Sequence, residues 1–429
     1  MDCPLANKRF RGEGFARVGQ VLEIMQPCLP LVNEQTPQGN RDGKKEKGNG
    51  RDVHPIPAAT ERLVVKAFAM EFDSASRTFI RRDFTTPKLK LGEVLIRVTC
   101  CTICGSDLHT FSGRRAAPES CVLGHEIIGE VVDWAGDDPR LDFNGNQLHV
   151  GQRVTWVMAF GFGSCFFCRN DLNQKCDSLF KYGHEPAVCD HPTGGLSEFC
   201  VLVPGTPVFR IPDILSDEAA CPANCATATV FAAARLIEQT HVLRGAVFLV
   251  VGAGMLGLTA VAHLSDSGAR SIIVADSNEK RLTIAREFGA THCLCSDQQD
   301  EICSAVSSLS EGRGADIALD FAGATSAVQT CLASVRVGGC VLLAGSVFPS
   351  GEIQMTPETI VRRMLTIRGL HNYLPSDLDN ALGFLQRVGE RFQFSDLVAR
   401  SFQLTDAGLA FEYAQKHRPV RVAVKPPSR

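Results

Sequence analysis

No repeat of fixed period runs through this chain, and neither sign of charge dominates it. Lys and Arg number 44 against 47 Asp and Glu, a formal net charge of −3, so the balance gives no electrostatic reason to expect a nucleic-acid partner. A membrane span is missing too. Residues 246–264 carry no Asp, Glu, Lys or Arg and approach spanning length, yet they include Gly252, Gly254, Gly257 and His263. A buried strand running into a helix accounts for them better. The amino terminus does not read as a secretion signal, because its one apolar stretch, residues 21–32, is broken by Glu23, Pro27 and Pro30. A cytoplasmic protein is the expectation. The 18 cysteines are spread too thinly over 429 residues for a disulfide scaffold, which implies reduced thiols. Cys293, Cys303, Cys331 and Cys340 lie in apolar surroundings and read as buried small hydrophobes.

The 429 residues, 45% hydrophobic and 21% charged, suit two folded domains with a sizeable interior. Residues 1–60 mix Pro, Gly, Asn and charge, and residues 39–51 contain no apolar side chain; they read as a disordered N-terminal extension. From Leu63, the stretches LVVKAFAMEF and EVLIRVT open a β-rich region that continues to about Pro204. The segment SDEAACPANCATATVFAAARLI then starts with Ser216 as a cap, followed by two acids, and becomes Ala-rich, as a helix does. Beyond Ala246, the strand-like units AVFLVVGAG, SIIVADS, ADIALDFAG and GGCVLLAGS alternate with helical stretches, which predicts a parallel sheet covered on both faces.

Gly252, Gly254 and Gly257 follow the apolar run VFLVV in the motif GAGMLG, where Met255 and Leu256 open the next helix. Such a turn lets backbone amides at a helix N-terminus approach a pyrophosphate. The glycines alone could simply tighten a strand against a helix. Asp276, at the end of the next strand and about 20 residues on, adds a carboxylate suited to ribose hydroxyls and repellent to a 2′-phosphate. The expected cofactor is therefore NAD, with Arg281 keeping NADP as the alternative.

Three further motifs, CTICGSDLH (residues 101–109), GHE (124–126) and PANCATAT around Cys225, precede the nucleotide fold. In this order they resemble the zinc-containing medium-chain alcohol and polyol dehydrogenases, and the likeness covers residues 63–425. The resemblance implies an α/β fold: a Rossmann parallel-sheet coenzyme domain over residues 226–369, and a β-rich, chaperonin-10-like catalytic domain over 61–225 and 370–429. It implies a catalytic zinc held by Cys104, His125 and Cys225, with Glu126 close behind the metal. Three protein ligands leave one position open to an alcohol. Asp107 matches the carboxylate that orients the ligand histidine, and Ser106 and His109 match a proton path toward solvent. Singly, each of these residues has a duller reading as a buried thiol, a core histidine or a cap. A homodimer or homotetramer is also implied.

Cys165, Cys168 and Cys176 occupy three of the four positions of the family's structural zinc lobe, and Phe162 stands at the first. Closed structural sites normally take four ligands. Cys189, His184 and His191 are the nearby groups available to complete it; the alternative is a metal-free loop kept for packing or subunit contact. Arg114 and Arg115 fall where the substrate cleft is expected, and adjacent guanidinium groups can grip a phosphonate, phosphate or carboxylate; a solvated basic turn is the plainer reading. The strings SGRR, FFCR, LFKYGHE, PANCATATV, GSVFP and IRGLHNY resemble the branch of the family associated with phosphonate catabolism. The expected substrate is a small alcohol or aldehyde bearing an anionic group. A neutral polyol or simple alcohol, and a non-catalytic NAD-binding protein, are the alternatives.

Overall fold

The computed structural model describes residues 64–188 and 190–427; the extension expected over residues 1–60 lies outside them. A seven-stranded, largely antiparallel sheet is built in the order Val208–Arg210, Arg153–Trp156, Glu126–Trp134, Val94–Thr102, Arg421–Lys425 and Val398–Gln403, with Phe199–Leu202 also paired to Val94–Thr102. Its strands bury alternate apolar side chains, such as Val94, Ile96 and Val98, around one core with Ile127, Val131 and Trp156. A three-stranded sheet of Thr78–Thr85, Lys66–Asp73 and Ser120–Val122 packs into the same core.

The second half of the chain forms a six-stranded parallel sheet in the order His292–Leu294, Ser271–Ala275, Val247–Val251, Ala315–Asp320, Val335–Leu343 and Thr366–Gly369. This is the doubly wound dinucleotide-binding order, whose crevice opens where the winding reverses, beyond the C-terminal end of Val247–Val251. All five residues of that strand are buried, as a central strand with both faces covered requires. Residues 246–264 therefore form a strand and the start of helix Met255–Asp266. Among the described residues, no single helix is long and apolar enough to cross a membrane. The expected combination of a β-rich, chaperonin-10-like lobe and a Rossmann parallel sheet is the fold found.

Local chemistry adds to or departs from the sequence reading at three places. The Ala-rich segment starts as expected, with Ser216 Oγ accepting from the Ala219 N–H at 3.2 Å, but it is not one helix. Pro222 has no N–H to continue the ladder, so Asp217–Ala220 gives way to a 3₁₀ turn, Cys221–Asn224, and a new helix, Ala226–Glu238, begins after Cys225. Helix Pro375–Val388 packs Leu378, Leu382 and Leu385 into the core shared with Ala226–Glu238 and the parallel sheet. Arg235 fastens it by a forked pair to Asp377 at 2.8 and 2.9 Å. The same core continues to Phe392, Phe394 and Leu397. Finally, Cys331 and Cys340 are buried as expected, whereas Cys293 and Cys303 are only partly buried, with Sγ atoms against Leu282 O and Ser334 Oγ.

Candidate active site

Strand register gathers the first site residues at one end of the seven-stranded sheet. Thr102 sits opposite Glu126 on one neighbour and opposite Ala423 on the other. Cys104, just past the first strand, therefore meets His125 and Glu126 at the start of the second and Arg421 at the start of the third. The break at Pro222 supplies the fourth side: it leaves Cys225 at the N-cap of Ala226–Glu238, with φ −132° and ψ −75°. Asn224 fixes that segment from within, donating to the main-chain carbonyls of His125 and Trp156 at 3.0 and 3.1 Å. Tyr373 donates in turn to the Asn224 carbonyl and accepts from the Met158 N–H.

Cys104, His125, Glu126 and Cys225 present ligand atoms that all lie within 4.8 Å of one another. The Cys104 and Cys225 sulfurs are 3.9 Å apart. Two thiolates on a tetrahedral zinc, each at about 2.3 Å, would be roughly 3.8 Å apart, so the donor set fits that ion without rearrangement. Asp107, fully buried, serves both flanks: Oδ1 lies 3.1 Å from His125 Nδ1, and Oδ2 accepts the Cys104 N–H at 2.9 Å. His125 Nε2 is thereby left for the metal side. The two sulfurs are hydrogen-bonded to each other and shifted in opposite directions. The hydrogen bond from Cys225, together with the charges of Arg421 and His125, holds Cys104 well below its usual range against the effect of burial. The same hydrogen bond and burial push Cys225 well above it.

Glu126 is committed elsewhere as well. Arg421 Nε and Nη2 donate to its two oxygens, each at 2.8 Å, and Thr102 Oγ1 donates at 2.5 Å. Both charged side chains are almost wholly buried. Burial raises the Glu126 carboxyl and Arg421 opposes that rise. Glu126 thus sits beside the thiolates as half of an ion pair, rather than as an open ligand.

The dinucleotide turn lies across the cleft. Gly252 has φ +101°, the left-handed region that favours glycine, and a Cβ on Gly257 would stand 1.9 Å from the Gly252 carbonyl oxygen. Gly254 is the N-cap of the 12-residue helix Met255–Asp266, whose first N–H groups have no helical acceptor; Gly254, Met255 and Leu256 border the cleft. Asp276 closes this turn, accepting from the N–H groups of Ala253 at 2.7 Å and Asn278 at 2.8 Å. Arg281 stands 4.0 Å from Asp276, donates to the Arg418 carbonyl and leaves Nε without a partner among the described residues. Free amides and an unpartnered guanidinium nitrogen beside an open glycine fit a pyrophosphate-bearing cofactor.

The cleft between the two has a volume of about 870 Å³. Ser106 and His109 both line it. The Ser106 hydroxyl is 3.4 Å from His125 Nε2, and His109 rests on Phe348 with ring centroids 4.2 Å apart. Burial, then Arg114, lowers the His109 pKa. Arg114 is exposed at the lip, while Arg115 turns inward and places Nη1 3.1 Å from His184 Nε2. The His184 ring lies 5.1 Å from that of His125. Arg421, Asn224 and His184 were not singled out for this site from the sequence, although Asn224 lies in PANCATAT and His184 in LFKYGHE.

Cys165, Cys168 and Cys176 also converge, with sulfurs within 4.8 Å of one another. Neither histidine considered for the missing ligand joins them: His184 is at the cleft, and His191 pairs with Asp190 at 2.9 Å and Glu93 at 3.8 Å. Phe162 is exposed, and Cys189 lies outside the described residues. The backbone N–H of Asp177, then that of Cys168, lowers Cys165 to about 7.

Comparison with known proteins gives two family matches: the alcohol dehydrogenase GroES-like domain over residues 90–213, and the zinc-binding dehydrogenase domain over residues 256–387. The sorbitol dehydrogenase of Bacillus subtilis is 32% identical over 292 residues, covering 67% of this chain and 77% of that protein. D-arabitol-phosphate dehydrogenase of Enterococcus avium is 25% identical over 346 residues, covering 80% and 92%. The solved structure of an alcohol dehydrogenase from Thermotoga maritima superposes with a TM-score of 0.79 at 26% identity, covering 85% of this chain and all of that one.

Proposed function

Because this chain belongs to the zinc-binding medium-chain alcohol dehydrogenase family, we propose that it interconverts a small anionic alcohol and its aldehyde, with NAD as the hydride carrier. When bound, zinc supplies Lewis acidity that favours loss of the alcohol proton, and the nicotinamide supplies the hydride acceptor. Cys104, His125 and Cys225 are the residues to hold the metal, and Asp107 holds His125 in one tautomer. Ser106 stands where a substrate hydroxyl would meet it, and His109, kept neutral by its surroundings, takes the proton onward toward the lip of the cleft. Gly252, Gly254 and Gly257, with Met255 and Leu256, take the pyrophosphate; Asp276 faces the adenosine ribose, and Arg281 flanks it. NAD is preferred on the strength of Asp276. The trio Cys165, Cys168 and Cys176 is read as an incomplete structural lobe. A cytoplasmic homodimer or homotetramer is the expected setting.

One observation carries the anionic preference: Arg114, Arg115 and Lys181 line the cleft, and among the described residues no Asp or Glu does. The enzyme named for a phosphorylated polyol among its relatives supports the same reading, as do the strings resembling the phosphonate-catabolism branch. A neutral polyol is the second reading, favoured by the likeness to a sorbitol dehydrogenase. The test is absorbance at 340 nm with phosphonate, carboxylate and neutral alcohols at fixed NAD, on the wild type and on a variant with Arg114→Ala and Arg115→Ala. The variant should raise KM for anionic alcohols far more than for neutral ones; equal effects would discard the proposal. NAD binding with neither bound zinc nor turnover of any alcohol would instead favour a non-catalytic nucleotide-binding protein.

A further inference from the structure

A half-buried arginine lining a cleft usually meets a carboxylate, which cancels its charge. Arg115 does not. Its guanidinium is positioned by a partly buried imidazole, His184 Nε2, 3.1 Å away, and to accept that N–H the imidazole must be neutral at Nε2. Among the described residues, Arg115 has no ion pair with Asp or Glu. Lys175, on the rim, repeats the arrangement by donating to His371 Nδ1 at 2.5 Å. Lys181, at the end of the short strand Phe180–Lys181, stands between these two cations and also lines the cleft. Burial, then Arg115 and Lys175, lowers its pKa, opposed by Glu185. The Glu185 carboxylate is itself engaged, accepting the main-chain N–H of Lys181 at 2.9 Å. Three cations against this one carboxylate leave a local excess of two positive charges on a single wall. Like charges gathered with too little counter-charge raise the energy of the folded protein, and holding two of the three, Arg115 and Lys175, on neutral imidazoles leaves their charge available to a ligand.

We infer that Arg115 and Lys181, with Lys175 at the rim, form the binding site for a doubly charged tetrahedral head group, a phosphonate or a phosphate monoester, on the substrate. The site deepens the anionic-alcohol reading and rests on it. Arg115 offers a fork for two oxygens and Lys181 a point charge for the third. His184 lies between Arg115 and the His125 ring, so one imidazole ring separates head group from reacting carbon, which suits a short hydroxyalkyl chain. A second set of cations, Arg281, Arg418 and Arg421, shares the cleft. Arg281 is bonded to the Arg418 carbonyl and lies beside the glycine turn's Asp276, which assigns those two to the coenzyme, while the charge of Arg421 is met by Glu126.

The experiment uses the full zinc-loaded chain at pH 8, where a phosphoryl head carries close to two charges. Four matched alcohols are compared: 2-hydroxyethylphosphonate, ethylene glycol monophosphate, 3-hydroxypropionate and 1,3-propanediol. Methylphosphonate binding is measured separately by calorimetry at saturating NAD. For Lys181→Met, the ratio of kcat/KM for the two dianions over that for the diol should fall by about 10- to 100-fold, mostly through KM, as loss of one charge-assisted contact predicts. Methylphosphonate affinity should fall by a similar factor, and Lys181→Arg should restore most of both. The carboxylate, with one charge, should lose less. Unequal losses for phosphonate and phosphate ester would show which of the two the site was shaped for. NAD affinity measured on each variant certifies that it is folded. The inference is overturned if dianions are preferred by the wild type but Lys181→Met lowers all four substrates in parallel, or if saturating NAD abolishes methylphosphonate binding. If no anionic alcohol is preferred while methylphosphonate still binds through Lys181, the anionic-substrate reading fails and the head-group site stands.

Discussion

Replacing Arg421 by Met should destabilise the protein far more than the loss of two hydrogen bonds suggests. Glu126 is fully buried, and its carboxylate is matched only by Arg421, through two contacts at 2.8 Å, and by the Thr102 hydroxyl at 2.5 Å. Removing one partner of a buried, forked ion pair leaves the other charge in a poor solvent, a cost of about 3–5 kcal/mol. In Arg421→Met, the folded-state pKa of Glu126 should rise well above its unfolded value. A carboxyl shifted in that direction favours folding below its unfolded pKa and progressively opposes it as pH rises through the folded one. The deficit relative to wild type should therefore be largest at pH 8 and shrink as the pH is lowered toward 5. Combining Arg421→Met with Glu126→Gln should recover most of the loss, since a neutral amide can still meet Thr102. Urea unfolding of the three variants and wild type, at matched zinc and at several pH values, measures this directly. A single variant within about 1 kcal/mol of wild type, or a double variant as unstable as the single, would refute the reasoning.

Asp107→Asn removes the charge that orients His125 and weakens the acceptor for the Cys104 N–H; zinc affinity, measured by competition with a chromogenic chelator, should fall by about 10- to 100-fold, and unchanged affinity would dismiss Asp107 as an organiser of the site. Gly257→Ala drives a methyl group to 1.9 Å from the Gly252 carbonyl oxygen, so the turn must open and NAD affinity, read by quenching of protein fluorescence, should drop by at least about tenfold; retained affinity would show that the turn does not cradle the dinucleotide. Dialysis against a chelator should leave one slowly exchanging zinc per chain by atomic absorption, because the Cys165, Cys168 and Cys176 trio lies in a largely exposed loop, whereas Cys104, His125 and Cys225 are backed by the buried Asp107 and the buried Glu126–Arg421 pair. Two equally retained ions would disprove that account.

Sequence order carried much of the site. Cys104, His125 and Cys225 were legible because the motifs that contain them resemble those of a known family, and Gly252 to Asp276 because strand, turn and helix follow one another without interruption. What escaped depends on long-range register. Arg421 is separated from Glu126 by 295 positions, and a single arginine opening a strand carries no periodic signal. Asn224 looks like a turn residue until it is found bonding two strands. Arg114 and Arg115 are indistinguishable in the string SGRR, yet only one turns toward His184. The helix break at Cys225 was hidden by an Ala-rich composition that suits a continuous helix, although Pro222 marked it.

The placement of strand Arg421–Lys425 bears on how the protein is made. It is inserted between Val94–Thr102 and Val398–Gln403, so the sheet that carries the cysteine and histidine ligands has a gap in its interior until the whole coenzyme-side sheet has left the ribosome. A nascent chain can assemble the thiolates and Asp107 early, but Glu126 stays without its guanidinium counterpart until translation passes residue 421. Synthesis arrested before that point would yield a polypeptide whose half-built centre carries excess negative charge, a natural target for quality control.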